Sequence, residues 1–174
     1  MGYDISALKN LPKHLDCYFF LIGDYRIKTR VNDLFREEFD KIASRLGDDA
    51  GIIRQTRRSK IEPELTEAIC KHQFKGTDVS NFLDSVSSQY PGLLILKVHP
   101  DLLTERETII HIPFTTLDEV YEDNEELLMA LIGFAKGNQA LMRKIYKWVQ
   151  KTRKAISGLN VGISVGVFAV NYQF

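Results

Sequence analysis

Two histidines and one aspartate lie close together around a single turn of this sequence. His99 and Asp101 flank Pro100, and His111 lies in the apolar run that follows. Two imidazoles and a carboxylate form a ligand set suited to zinc or iron. Their spacing matches no recognised ligand motif, and a His-Pro turn beside a strand with solvent-facing polar positions accounts for the same residues. We therefore expect no metal and no other cofactor. In the alternative, in which the protein binds a metal ion, the candidate ligands are His99, Asp101 and His111.

Arginine side chains are concentrated at two points along the chain. The candidate anion-binding residues are Arg26, Arg30, Arg54, Arg57 and Arg58. The first two precede a predicted helix, and the other three end or follow a predicted strand. Loops that leave the carboxyl ends of parallel strands gather at one edge of a sheet, so the two groups would form an anion-binding rim there. Such a rim would suit an enzyme acting on a phosphorylated or nucleotide substrate, with His111 or Asp24 as the general acid or base.

Motifs for nucleophilic, redox and phosphate-loop chemistry are missing from the sequence. It contains no GxSxG, no GxxxxGK[ST] and no CxxC. Cys17 and Cys70 are far apart, so neither has the adjacent resolving cysteine that thiol–disulfide exchange needs, and both are expected to be small core residues. Two such thiols indicate a reduced, cytoplasmic protein. No stretch is apolar enough to predict a membrane-spanning helix.

The overall charge gives no preference for nucleic acid or an anionic membrane, because Lys+Arg and Asp+Glu both number 23. A third basic group lies on a predicted helix near the C-terminus and comprises Arg143, Lys144, Lys147, Lys151 and Lys154. The helix before it carries the acidic residues Asp118, Glu119, Glu122, Asp123, Glu125 and Glu126. The tight turn at Gly137 would pack the two helices antiparallel, and pairing of opposite charges would weaken the field that nucleic-acid binding requires. We favour paired, solvated faces, and a nucleic-acid-binding module stays an alternative.

Short apolar runs alternate with amphipathic stretches, which is typical of a sheet covered by helices. The predicted strands lie at about 16–23, 51–55, 93–98, 108–113 and 159–174. The predicted helices lie at about 28–46, from Pro63 onward, 79–89, 116–136 with Thr116 and Glu119 as a capping box, and 138–156. The gap between the third and fourth strands is too short for a crossover, so these strands should be antiparallel neighbours. We predict one α/β domain over 1–174 with a mixed sheet of about five strands: a lead-in over 1–15, a core over 16–135 and a C-terminal helix plus strand over 136–174.

The order strand, helix, strand, helix, strand, strand, helix resembles the thioredoxin-like fold over about residues 16–135. Pro91 directly precedes the third strand, where that fold often carries a cis-proline. The run 91–100 also looks like the matching segment of thioredoxin-like domains in cyanobacterial clock proteins and their sensor kinases. Those domains lack redox cysteines and bind partner proteins, and this chain has Gly23-Asp24-Tyr25-Arg26 where a redox member would place CxxC. The resemblance implies a protein-binding domain without redox activity.

The C-terminal stretch 159–174 is uncharged and alternates with period two. We favour its joining the sheet as the final strand over its edge pairing with a second copy or a partner chain. The candidate partner interface comprises Tyr146, Trp148, Val165, Val167, Phe168 and Tyr172. The leading hypothesis is a non-enzymatic protein-interaction or oligomerisation module that binds a protein partner or itself.

Overall fold

A computed structural model describes residues 1–23, 29–55, 61–71, 91–104, 106–156 and 168–170. Within these ranges the chain has the predicted α/β fold with a mixed sheet. The strands are β1 (Gly2–Ile5), β2 (Cys17–Ile22), β3 (Ala50–Gln55), β4 (Gly92–Leu96), β5 (Ile109–Pro113) and β6 (Phe168–Val170). Their order in the sheet is β1-β3-β2-β4-β5-β6. β1 and β2 run parallel to β3, and the remaining pairs are antiparallel, which confirms the predicted antiparallel neighbours β4 and β5.

The described residues also form six α-helices. They are α1 (Arg30–Glu37), α2 (Phe39–Leu46), α3 (Ile61–Lys71), α4 (Phe114–Val120), α5 (Asn124–Ala135) and α6 (Ala140–Ile156). Two helices that were predicted as continuous are each divided in two. Glu38 separates α1 from α2 with φ −108° and ψ 20°, and Tyr121 separates α4 from α5 in an extended conformation. The sequence pattern missed both breaks because the apolar spacing continues across them.

One predicted helix end agrees with the structure, and one predicted helix start does not. Gly47 ends α2 with a φ of 78°, a value that favours glycine, which confirms the predicted end of this helix at residue 46. The predicted capping box of Thr116 and Glu119 is wrong, because α4 already begins at Phe114 and Thr116 is buried inside it. The helix predicted at 79–89 lies outside the described residues.

Both faces of the sheet are covered. On one face, Cys17, Phe19 and Leu21 of β2 pack in a core with α1, α2, α4, α5 and α6. On the other face, alternate residues of the same strand pack against α3 and the segment 5–15. All six residues of β2 are therefore buried, which explains its uninterrupted apolar sequence. None of the helices in the described ranges is both long and apolar enough to cross a membrane.

The sheet gains a strand from the segment that the sequence suggested to be a lead-in. Gly2–Ile5 pairs with 52–55 of β3 as a parallel edge strand. Phe39 and Ala43 of α2 pack directly over Gly2, where a Cβ would lie 2.7 Å from the Ala43 Cβ. The absence of a side chain at Gly2 thus lets α2 cover this edge of the sheet.

Candidate protein-binding groove

A groove of about 390 Å³ opens where α1 and α2 meet the amino end of α5. Its lining residues are Arg30, Leu34, Glu38, Lys41, Glu122, Asp123, Asn124, Glu125 and Leu128. Leu34 and Leu128 are buried and provide an apolar floor. The remaining residues are polar or charged, with four carboxylates against two cations. The groove surface is therefore mainly polar, with an excess of negative charge above a narrow apolar floor.

Hydrogen bonds at the ends of the helices hold the walls of this groove in position. The Thr29 hydroxyl accepts the N–H of Asn32 at 3.0 Å and so caps α1. The Asp123 carboxylate accepts the N–H groups of Glu125 and Glu126 and caps α5. Asp118 accepts the N–H of Val31 at 2.9 Å, which ties the amino end of α1 to α4.

Both cations of the groove already have carboxylate partners. The Arg30 guanidinium lies 3.6 Å from Asp118 and donates to Asn124 Oδ1 and the Tyr121 carbonyl. Lys41 Nζ lies 2.8 Å from Glu38 Oε2. These pairs leave little cationic character at the groove surface.

The acidic side chains are compensated to different extents. Glu125 forms a two-pronged pair with Arg45 of α2, at 2.5 and 2.7 Å, and this hydrogen bonding lowers the pKa of Glu125. Glu122 is exposed and forms no ion pair with any described residue. A cation brought to Glu122 would therefore meet a carboxylate that no described residue compensates.

The structure describes two of the five predicted anion-binding residues, and each has its own partners. Arg30 lies in the groove, as above. Arg54 donates two hydrogen bonds to the Asp4 carboxylate across the β1–β3 pair, at 2.7 and 2.9 Å, and stacks on the Phe39 ring with its Cζ 4.2 Å from the ring centroid. In these interactions, Arg30 and Arg54 share no partner. Arg26, Arg57, Arg58 and the candidate acid or base Asp24 lie outside the described residues.

The predicted metal ligands lie apart along β4. His111 stands opposite Leu94, the central residue of that strand, and its imidazole reaches toward Gly92 at one end. His111 is fully buried on β5, where a Cβ on Gly92 would lie 2.6 Å from its Nε2. His99 and Asp101 follow the other end of the strand, beyond Leu96. A strand of this length spans about 13 Å, so the structure does not bring the two imidazoles together. The described residues contain no group of three His, Cys, Asp or Glu side chains that could hold a metal ion.

His111 differs from its expected solvent-facing position because of the strand beside it. Gly92 pairs with Pro113 in the β4–β5 ladder and provides no side chain of its own. The imidazole of His111 occupies that space on the sheet face covered by α3. The sequence could not reveal this, because it depends on cross-strand register.

His99 has a structural role in the turn that it begins. Its Nδ1 accepts the N–H of Asp101 at 3.1 Å, at the start of the 3-10 turn Pro100–Leu102. Its ring meets Tyr18 edge-on, with 5.8 Å between the centroids. Burial lowers the pKa of His99, against an opposing effect of the Asp101 carboxylate.

The predicted partner interface is described in three of its six residues. Tyr146 is exposed on α6, whereas the half-buried Trp148 packs against the core of the helical face. Phe168 begins β6, which pairs antiparallel with β5 as the last strand of the described sheet. This agrees with the favoured position of the final strand. Val165, Val167 and Tyr172 lie outside the described residues.

Pairing between α5 and α6 is more limited than the charge pattern indicated. Lys144 pairs with Glu126 at 2.5 Å and lies over the Tyr121 ring. Other acidic residues pair elsewhere, Glu125 with Arg45 and Asp118 with Arg30. The groove escaped sequence reasoning because its walls are more than eighty residues apart in the chain, as the separation of 94 between Arg30 and Asn124 illustrates.

No family model matches this chain, and neither the curated proteins nor the solved structures contain a match. The excess of carboxylates makes the groove complementary in charge to a cationic surface.

Proposed function

We propose that this protein is a non-enzymatic protein-interaction module whose groove binds a cationic segment of a partner protein. The observation that carries this proposal is the charge of the groove, in which four carboxylates face two cations above a narrow apolar floor of Leu34 and Leu128. Apolar contact contributes most of the affinity at protein interfaces, and complementary charge contributes specificity and the rate of encounter. An exposed Glu122 without an ion pair among the described residues supplies that charge.

A thioredoxin-like relationship forms part of the same proposal. The described order from β2 to α4 supports it, with β2, α1 and α2, β3, α3, β4, β5 and α4 in sequence. Within this relationship we propose a binding domain without redox activity. The sequence contains only two cysteines and no CxxC, which also fits a cytoplasmic protein.

The alternative of an enzyme acting on a phosphorylated or nucleotide substrate has less support. A phosphate would have to compete with Asp4 for Arg54 and with Asp118 for Arg30. A dose-dependent rise in melting temperature with nucleotides or inorganic phosphate would favour the enzyme over the interaction module.

The test of the proposed function uses a labelled helical peptide with lysines at every fourth position and leucines between them. We expect fluorescence anisotropy to show binding that weakens as salt is raised from 50 to 500 mM, because the Debye length then falls to a few ångströms. The double variant Glu38→Lys with Glu122→Lys should weaken binding by about tenfold or more, since it places like charges against the peptide.

A matched control changes net charge by the same amount elsewhere. Asp16→Lys with Glu67→Lys alters two exposed residues that do not line the groove, one of them on α3 across the sheet. This variant should bind the peptide like the unaltered protein. Equal binding by both double variants, or equal binding of a peptide with glutamates in place of lysines, would contradict the proposal.

A further inference from the structure

The exposed surface of α6 carries a row of cations. Arg143, Lys147 and Lys151 are spaced by four residues and are all exposed, so they lie along one side of the helix. The row is about 12 Å long at the rise of an α-helix. Tyr146 lies within it and is 39% exposed. We call these four residues the α6 face.

The three cations of the α6 face differ from their neighbour Lys144. Lys144 is partly buried and is committed to Glu126 and the Tyr121 ring. Arg143, Lys147 and Lys151 form no ion pair with any described residue. Within the described part of the chain, no carboxylate compensates the cations of the α6 face. The face also carries one aromatic side chain, a residue type that is enriched at protein interfaces.

The same molecule carries the complementary surface. The groove between α1, α2 and α5 has excess negative charge and an exposed Glu122, while the chain as a whole has a formal charge of zero. Two copies consequently do not repel each other as whole molecules, and a chain without net charge tends to associate. Opposite charges are instead held on separate surfaces, which allows the positive surface of one copy to meet the negative surface of another.

We propose that the α6 face of one copy docks into the groove of a second copy. This proposal rests on the proposed function of the groove and names its cationic partner. Arg143, Lys147 and Lys151 would face the carboxylates of Glu38 and Glu122, and Tyr146 would contact the apolar floor. The contact joins two different patches, so repeated contacts build either a closed ring or an extended assembly.

The first measurement is the molar mass of the full chain in solution by sedimentation velocity. At 50 mM salt and high protein concentration we expect a mass above that of one chain, falling toward a single chain at 500 mM salt because exposed charges are then screened. The variant Arg143→Glu with Lys147→Glu and the groove variant Glu38→Lys with Glu122→Lys should each weaken self-association by about tenfold or more. Lys9→Glu with Arg106→Glu changes two exposed cations elsewhere and should associate normally.

The decisive experiment mixes the two charge-reversed variants. Each variant presents two surfaces of the same sign and should stay a single chain, whereas the equimolar mixture again pairs opposite surfaces and should recover the higher mass. Circular dichroism of each variant alone checks that it is folded. Recovery in the mixture would establish the contact, since a folding defect in either variant could not produce it.

The outcomes separate this inference from the proposed function. A chain that stays single at low salt but binds the lysine peptide in its groove would overturn self-docking and leave the proposed function standing. Self-association that is insensitive to both reversals would also overturn self-docking, because another surface would then be responsible. Failure of both peptide binding and self-association would contradict the two proposals together.

Discussion

His99 occupies a position that asparagine or aspartate commonly fills at the start of a helical turn. Its Nδ1 must be unprotonated to accept the N–H of Asp101, so the turn requires the neutral imidazole. Burial against Tyr18 favours the same form and lowers the pKa of His99; Lys13 adds to this effect, and Asp101 opposes it. Folding and proton binding at this side chain therefore compete.

The pH dependence of stability should report this competition. With a folded-state pKa below the unfolded value of about 6.5, the unfolded chain binds more protons, so the free energy of unfolding falls as the pH drops below about 6.5. His99→Asn keeps an acceptor for the Asp101 N–H but cannot titrate, and the fall should become smaller. Urea unfolding at pH 8 and pH 5.5 measures it, with His14→Asn at an exposed position as the control. An unchanged pH dependence in His99→Asn would contradict the assignment.

Residue types predicted the local environment where a short-range rule applies. The turn at His99-Pro100 and the end of α2 at Gly47 were predicted because each depends on neighbours in the chain. The roles of Arg54 and His111 were not, because they depend on Asp4 and Gly92, which adjacent strands bring into contact. Sequence alone placed Arg54 in an anion-binding group, whereas the structure shows it paired across two strands.

At the scale of the elements, the β4–β5 pair leaves no room for a side chain at Gly92. A Cβ on Gly92 would lie 2.5 Å from the Ile112 carbonyl oxygen and 2.6 Å from His111 Nε2. The first of these atoms is backbone and cannot move without disturbing the ladder. Gly92 is thus needed for the pairing that sets the sheet order around β4.

Gly92→Ala should destabilise the protein by about 1–3 kcal/mol, because the added methyl group overpacks this contact. Gly133→Ala on α5 is the matched control, since the nearest atom to its Cβ would be 3.5 Å away. That change should be neutral or stabilise the fold by about 0.5–1 kcal/mol, as alanine favours a helix. Chemical denaturation of the two variants measures both effects, and similar free energies of unfolding would show that the close contact has no consequence.

Strands were predicted more accurately than helix boundaries. The four central strands follow from buried apolar runs, and the antiparallel pairing of β4 with β5 follows from their short connection. The pairing of β2 with β4 was not predicted, because these strands are distant in the chain. The breaks at Glu38 and Tyr121 were missed because the apolar period continues across both of them. β1 escaped prediction because Gly2–Ile5 is short and only its last residue is buried.

For the whole molecule, Cys17 is a natural probe of global opening. It begins β2, which lies between β3 and β4, and its side chain is fully buried. Burial raises the pKa of the Cys17 thiol to about 12, despite the opposing effect of Lys97. Both access and ionisation therefore require loss of the central sheet.

In a Cys70→Ser background, Cys17 is the only thiol, and its reaction with a thiol reagent at pH 8 should be at least about a thousandfold slower than in the unfolded chain. Adding urea should accelerate labelling in step with global unfolding measured by circular dichroism. Rapid labelling of the native protein would instead reveal a local opening at the start of β2.

The order of the strands in the sheet has a consequence for the growing chain on the ribosome. β1 must wait for β3 before it can pair, β2 lacks one neighbour until residues 92–96 have been synthesised, and β5 is completed only by residues 168–170. An apolar strand with an open edge is thus exposed during much of translation, when contacts with other nascent chains or a chaperone compete with native pairing. Slower elongation ahead of β4 would lengthen that interval, whereas the finished polypeptide no longer exposes it.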